Sequence, residues 1–337
     1  MLRLPDFNFV KPKSLQEAAR LIAELGNDAM IVAGGTDLYP KMKRGQFTPK
    51  HLISLKSVSE IKGIRVDDDG LWIGAGETLT AVAQNPQVKE LFPALAQAAG
   101  LVSSPQLRNA GTIGGNILVD TRCNYYDQTF FWRHAAGFCM KKDGQICLVA
   151  PKSKVCLAAF SSDTAPVFCS LEAIAHLVGR DGSRAVPFTQ LYGRDGINYL
   201  AKRQDEVLRG ITIPRTVFGR RSVYLKLCRR GSFDFPVLGV AATLKLNADG
   251  TCGAASVVLT AVSSVPVYAD VNSILRGQKI TADLIESVAE TAAAVSHPVD
   301  NTDMDYWYRK RMTKVYVKRA LAQLSGLELK KAPQIHK

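Results

Sequence analysis

Ile31-Val32-Ala33-Gly34-Gly35-Thr36-Asp37-Leu38 carries an apolar run into two glycines and then into a polar pair that can start a helix. Residues 30–33 read as a short strand. Leu38 to Arg44 reads as a helix capped by Thr36 or Asp37 and ended by Gly45. Strand, double glycine and capped helix gather backbone amides at a helix N-terminus, where glycine permits close approach and the helix dipole favours an anion. Phosphate binding is one reading of this layout, and an ordinary tight strand-to-helix turn is the other. No Gly-Lys-Ser/Thr follows, so the loop is not a Walker loop, and it lacks the Gly-x-Gly-x-x-Gly spacing of a Rossmann turn.

Upstream, Ser14-Leu15-Gln16-Glu17 is a capping box that opens a helix with apolar positions Leu15, Ala18, Ile22 and Leu25, stopped at Gly26. Downstream, Asp67-Asp68-Asp69-Gly70 turns a hairpin into Leu71-Trp72-Ile73, and Gly74-Ala75-Gly76 ends that strand. An Ala-rich helical stretch, about Val88 to Ala99, breaks before Pro93. It leads to a second small-residue run, Ala110-Gly111-Thr112-Ile113-Gly114-Gly115-Asn116. Two such runs in one region raise the prospect of a shared dinucleotide ligand. Beyond Arg215, Val237 to Leu246 and Ala255 to Val262 read as strands, followed by helices over about Ala282–Val295 and Asp305–Leu324. On the last helix Met312, Tyr316, Ala320 and Leu324 share one face, and Lys310, Lys314 and Lys318 line another as a solvated stripe. Lys330 to Lys337 read as a frayed tail.

At 337 residues with 47% hydrophobic residues, the chain is soluble and long enough for two domains or more. Neither a signal-peptide run nor an apolar stretch of membrane-spanning length occurs, so a cytoplasmic protein with no membrane association is expected. The net charge of +13 suits an acidic partner subunit or anionic ligands such as nucleotides. No zinc-finger spacing, helix-turn-helix or aromatic-basic RNA motif accompanies it, so nucleic acid is not expected as a partner. Of the seven cysteines, Cys169, Cys228 and Cys252 stand alone and read as buried small hydrophobes. Cys123, Cys139, Cys147 and Cys156 cluster at spacings of sixteen, eight and nine residues. Four thiolates meet the demand of a structural zinc or of an iron-sulfur cluster, and neither is decided by spacing, although no Cys-x-x-Cys knuckle is present. His134 is a possible substitute ligand. Tyr125, Tyr126, Phe130, Phe131, Trp132 and Phe138 read as a small local core around the metal. Arg122, Arg133, Lys141, Lys142, Lys152 and Lys154 form either a solvated rim or a docking face.

The first motif with Gly111-Thr112-Ile113-Gly114-Gly115-Asn116 resembles the FAD-binding subunits of the molybdenum hydroxylases, the xanthine dehydrogenase family. Ser162-Asp163-x-x-Pro166, Val207-Leu208 with Ile211-x-Ile213-Pro214, Lys226 and Tyr308-Arg309 extend the similarity over nearly the whole chain. Two departures stand out. Relatives tend to have glycine where Ala261 precedes Val262. They also pass almost directly from the second motif to Ser-Asp-x-x-Pro, whereas Thr121 to Phe160 intervene here and hold the cysteine quartet. Such an insertion resembles the 4-hydroxybenzoyl-CoA reductase branch of the family, whose flavin subunit carries a [4Fe-4S] cluster.

The resemblance implies an α+β chain. A two-part FAD-binding domain of the vanillyl-alcohol-oxidase (PCMH) type would span residues 1–215, with subdomains of about 1–60 and 61–215 and the iron-sulfur insertion at 121–160. A C-terminal α+β domain, 216–326, and a tail, 327–337, would follow. Ile31, Val32, Ala33, Gly34, Gly35, Thr36, Asp37 and Leu38 would hold the FAD pyrophosphate, and Thr112, Ile113, Gly114, Gly115 and Asn116 would approach from the other side. Asp163 would accept from the adenosine part, with Val102, Leu208 and Lys226 lining the cofactor elsewhere. Cys123, Cys139, Cys147 and Cys156 would ligate the cluster. An electron-transfer subunit of a hetero-oligomer is implied, with a molybdopterin-binding large subunit, a [2Fe-2S] small subunit and ferredoxin as donor, and no substrate-catalytic residue on this chain. The rival readings are a related flavin subunit serving NAD or quinone, and a non-redox module with a zinc-stapled loop.

Overall fold

The structure, a computed structural model, describes residues 2–328, so the tail read at Lys330 to Lys337 lies outside the described residues. Three parallel strands open the chain: β1 (Asn8–Val10), β2 (Ala29–Val32) and β3 (His51–Ser54), in the order β1-β3-β2. Parallel neighbours need crossovers, and the helices Leu15–Leu25 and Leu38–Lys43 supply them. Ser14 caps the first helix by accepting from the Glu17 amide at 3.1 Å. The reciprocal half of the box is displaced, because Glu17 accepts from the Lys13 amide at 2.7 Å and Glu60 takes the Leu15 amide at 3.0 Å. Leu15, Ala18, Ala19 and Ile22 bury the inner face against Ile53 and Leu55.

Five antiparallel strands form the second sheet: β4 (Ile64–Val66), β5 (Gly70–Gly74), β6 (Ile174–Gly179), β7 (Gly182–Pro187) and β8 (Val207–Pro214), ordered β4-β5-β8-β6-β7. Asp67 and Gly70 exchange backbone hydrogen bonds of 2.9 and 3.3 Å and close the expected β4–β5 hairpin. The Ala-rich segment divides into Pro86–Leu91 and Pro93–Leu101, since Pro93 has no amide to continue the first helix. Leu95 and Ala98 from this segment join Leu71, Ile73, Phe168 and Ile211 in the largest core.

A third, antiparallel sheet follows: β9 (Arg221–Leu227), β10 (Leu238–Leu246), β11 (Cys252–Thr260) and β12 (Val267–Ala269), ordered β12-β11-β10-β9. Helices Ala282–Val295 and Tyr306–Ser325 cover one face of it. On the last helix the buried stripe runs through Arg309, Thr313, Val317, Ala320, Leu321 and Leu324, while Met312 and Tyr316 are only partly covered. The expected face is rotated because Arg309 points inward. Its guanidinium donates to the carbonyls of Val237 (2.9 Å), Val299 (3.0 Å) and Ala261. The lysine stripe is not simply solvated either: Lys314 pairs with Glu290 and Lys318 with Glu286 on the neighbouring helix. Of the three isolated cysteines, Cys169 and Cys252 are buried, but Cys228 is partly exposed and its thiol donates to the Arg230 carbonyl at 2.9 Å. Among the described residues no helix is long and apolar enough to cross a membrane.

Ala261 occupies a left-handed backbone conformation, φ +66°. It is held there because its amide donates to the Phe160 carbonyl (2.9 Å) while its own carbonyl receives Arg309. A Cβ in this region costs about 1–2 kcal/mol, part of which glycine returns as unfolded-state entropy. Ala261→Gly should therefore raise stability by about 0.5–1 kcal/mol in chemical denaturation, with the slope of the unfolding transition unchanged.

Candidate cofactor site

The two small-residue motifs, about seventy-five residues apart in sequence, touch. A Cβ built on Gly34 would enter the Ala110 carbonyl oxygen and lie 2.9 Å from the Gly111 Cα, so this glycine is dictated by chain-against-chain approach. Gly114 is packed the same way, with Ala75 Cβ and O both 2.8 Å from where its Cβ would stand. The backbone donors of the two motifs have different fates. Ile113 donates to the Glu77 carbonyl (2.8 Å), Gly114 to Ala75 (2.9 Å) and Asn116 to Thr112 (3.0 Å). Gly115 donates to the capping Thr112 hydroxyl at 3.1 Å. In contrast, the amides of Ala33, Gly34, Gly35, Thr36 and Asp37 donate to none of the described residues, although all five residues are partly open to solvent. Five unspent donors beside a helix start suit an anionic diphosphate.

Asp37 does not cap that helix with its side chain. Its carboxylate pairs instead with Arg122, and Lys41 stands 3.7 Å away. Asn116 has turned inward, its amide oxygen accepting from the Ser162 hydroxyl (2.8 Å), the Thr164 hydroxyl (2.7 Å) and the Thr164 amide (3.1 Å). Asp163 and Lys226, expected at different parts of the cofactor, meet as an ion pair at 3.1 Å. The Tyr224 hydroxyl donates to the other Asp163 oxygen at 2.9 Å. Lys226 also donates to the Leu101 carbonyl at 2.9 Å, beside Val102, which is half-buried. Leu208 is buried in the main core among β-strand side chains. Burial pushes the Asp163 carboxyl up, Lys226 and Tyr224 pull it back, and it comes to rest at about 6.

The family described as the FAD binding domain in molybdopterin dehydrogenase matches residues 5–216, and the CO dehydrogenase flavoprotein C-terminal domain matches residues 223–324. This chain belongs to the FAD-binding medium subunits of the molybdenum hydroxylases. It is 29% identical to the carbon monoxide dehydrogenase medium chain of Hydrogenophaga pseudoflava over 94% of this chain and 96% of that one. The FAD-binding subunit of the Escherichia coli K12 aldehyde oxidoreductase is 30% identical over 72% of this chain and 79% of its own length. Among solved structures, CO dehydrogenase from Oligotropha carboxidovorans is similar with a TM-score of 0.79 at 26% identity, covering 97% of this chain and 100% of that one. The chain is thus a FAD-binding oxidoreductase subunit.

This medium subunit also carries the cysteine insertion. Arg122 and Ala159 exchange backbone hydrogen bonds of 2.7 Å in each direction and pinch its neck. Inside the neck, Cys123, Cys139, Cys147 and Cys156 are all buried with free thiols, and all four line one cavity with ≈ 290 Å³ of atom-free space, part of it open to solvent. Tyr125, Met140, Leu148 and Val149 complete a mostly apolar wall, with Lys141 as its one cation. Burial pushes the Cys123 thiol up to about 12 and also raises that of Cys156. Among the described residues no group of three or more His, Cys, Asp or Glu side chains is set to hold a single metal ion. Four thiols around one cavity are a donor set for a zinc ion or for an iron-sulfur cluster.

His134 is exposed, does not line the cavity, and stacks on Phe130 with centroids 6.2 Å apart. The aromatic residues do not form the single shielding core expected: Tyr125 and Tyr126 line the cavity, but Phe130, Phe131 and Trp132 are 48%, 83% and 43% exposed. The basic residues divide similarly. Lys152 and Lys154 are solvated, whereas Arg122, Arg133 and Lys141 are sequestered in ion pairs. Sequence reasoning also missed Lys41 and Asp120, which bond at 2.5 Å across 79 residues of chain and leave no local signature.

Two measurements test this geometry. Gly34→Ala should lose FAD on desalting, whereas Gly100→Ala, whose new Cβ meets only the Ala83 Cβ at 3.8 Å, should retain it. Asp163 has a folded pKa raised from 3.8 to about 6. Its contribution is therefore full below about 4 and lost as pH rises through about 6, so Asp163→Asn should flatten the stability profile across that window.

Proposed function

We propose that this chain is the FAD- and [4Fe-4S]-bearing electron-transfer subunit of a 4-hydroxybenzoyl-CoA reductase. The observation that carries this reading is the neck-closed insertion, with four buried thiols around one cavity, joined to the helix that follows the free-amide loop. When bound, the flavin and the cluster supply two-electron and one-electron redox capacity, respectively.

The chain's own residues do the rest. The loop 33–37 offers unspent amides to the pyrophosphate, and Gly34 and Gly114 let the two motifs close on each other. Lys226, paired with Asp163, sits as a fixed cation among the residues proposed to line the cofactor and favours an anionic reduced flavin nearby. Cys123, Cys139, Cys147 and Cys156 hold the cluster, and the apolar wall limits water around it. Reductive dehydroxylation to benzoyl-CoA belongs to a molybdopterin-binding large subunit, a [2Fe-2S] small subunit completes the hetero-oligomer, and reduced ferredoxin is the donor.

Anaerobically purified complex should be brown, co-purify with molybdenum and contain, beyond the iron of the [2Fe-2S] small subunit, about four irons per copy of this chain, from one cubane per four thiolates. Cys139→Ser or Cys147→Ser should remove that iron while FAD, read by absorbance after denaturation, stays near full occupancy. Zinc without iron or sulfide would establish a stapled loop instead. Rapid flavin reduction by NADH and none by reduced ferredoxin would establish an NAD-linked subunit of the same family.

A further inference from the structure

Lys141 is an unusual wall for a cavity of thiols. Its ammonium donates to Asp120 Oδ1 (2.8 Å), Thr121 Oγ1 (2.7 Å) and the Gly196 carbonyl (2.7 Å), so all three donors are spent, and its side chain is 6% exposed. Asp120 presents its second oxygen to Lys41 Nζ (2.5 Å) and to the Tyr126 hydroxyl (2.9 Å). The Tyr126 ring has Lys41 at 5.1 Å and Lys141 at 4.8 Å from its centroid and, like Lys141, lines the cavity. Burying ammonium groups is costly unless they are paired and hydrogen-bonded. Here four cations, Lys41, Arg44, Arg122 and Lys141, face three carboxylates, Asp37, Asp120 and Asp127. Of the four cations only Lys141 lines the thiol cavity, and outside this network the Asp195 carboxylate accepts from the Cys156 amide at 3.1 Å.

Resting on the cluster reading above, we infer that Lys141 is a positioning residue that raises the cluster's reduction potential, and that Asp120 and Lys41 are the scaffold that fixes it. A cluster in four thiolates is anionic and gains negative charge on reduction, so a fixed cation favours the reduced form. Lys41 lies on the helix after the free-amide loop, so the same bridge ties the cluster's surroundings to the flavin loop.

The test is potentiometry of the intact hetero-oligomer, with the cluster read by electron paramagnetic resonance and the flavin by absorbance. Lys141→Met should shift the cluster midpoint to more negative potential at full iron content, with the flavin midpoint unmoved. Lys141→Arg should recover most of the shift, and Lys152→Gln, at the solvated rim, should cause none. If Lys141→Met loses iron, Lys41→Met is read instead, because it leaves Asp120 to neutralise Lys141 alone and should shift the midpoint the same way by less. A wild-type midpoint in iron-loaded Lys141→Met or, where that variant loses iron, in Lys41→Met overturns this inference alone, as does an equal shift from Lys152→Gln. A wild-type complex whose only iron is that of the [2Fe-2S] subunit overturns the cluster reading together with it.

Discussion

A carboxylate held between two buried ammonium groups joins the parts of this molecule that matter for its chemistry. Asp120 comes just after the second small-residue motif, Lys41 from the helix after the first, and Lys141 from the cysteine insertion. Burial pushes the Asp120 carboxyl up, but the two ammoniums outweigh it and hold it at about 2, so the charge persists at any ordinary pH. Such a network adds little net stability, because desolvation consumes most of the Coulombic gain. What it fixes is position: with every donor and acceptor engaged, none of the three groups can move without stranding a buried charge. Arg122 with Asp37 and Arg133 with the Gly45 carbonyl (3.1 Å) repeat the connection on either side, so the insertion is seated on the first subdomain and not hung from it.

The flavin side divides its labour between two loops of similar composition. The second motif spends its amides on Glu77, Ala75 and Thr112 and becomes framework. The first is held by its neighbours' backbones and keeps its donors free. A double glycine therefore has two physical uses in one chain: it removes a Cβ where another backbone passes, and it leaves amides for an anion. Only the contacts distinguish them, since both loops read as small residues between a strand or turn and a helix start.

Much of the fold was legible because it rests on local signals. Thr281 accepts from the Leu284 amide and starts the helix Ala282–Val295 where its pattern begins, and Pro93 divides the Ala-rich segment where its missing amide demands. The FAD family was legible because two motifs recur in order. The electrostatics were not. Asp37 had a local role available as a cap and was drawn instead to Arg122, 85 residues away; Asp163 found Lys226 across 63. Arg309 reads as one more cation on a basic helix, and only three converging carbonyls turn it inward. Periodicity records which face is apolar, but it does not record a charge whose partner lies in another element.

The boundary between flavin fold and insertion falls at the Arg122–Ala159 neck for an energetic reason. Outside it, the backbone is satisfied without the insertion: Phe160 donates to the Ser263 carbonyl (2.9 Å) and Ala261 to Phe160 (2.9 Å), joining the FAD-binding and C-terminal regions. Inside it, regular structure is limited to the single helix Phe130–Ala135, and the apolar contacts are few, centred on the cysteines with Tyr126 and Ala158. A segment of that length without strands and with only this small core gains little by burial to offset its ordering entropy. The bridges to Lys41 and to the Gly45 carbonyl orient it from outside; on the proposed reading, a bound cluster would order it from the centre. On that reading the four thiols that hold the cluster would also be the cross-link that gives the insertion its shape.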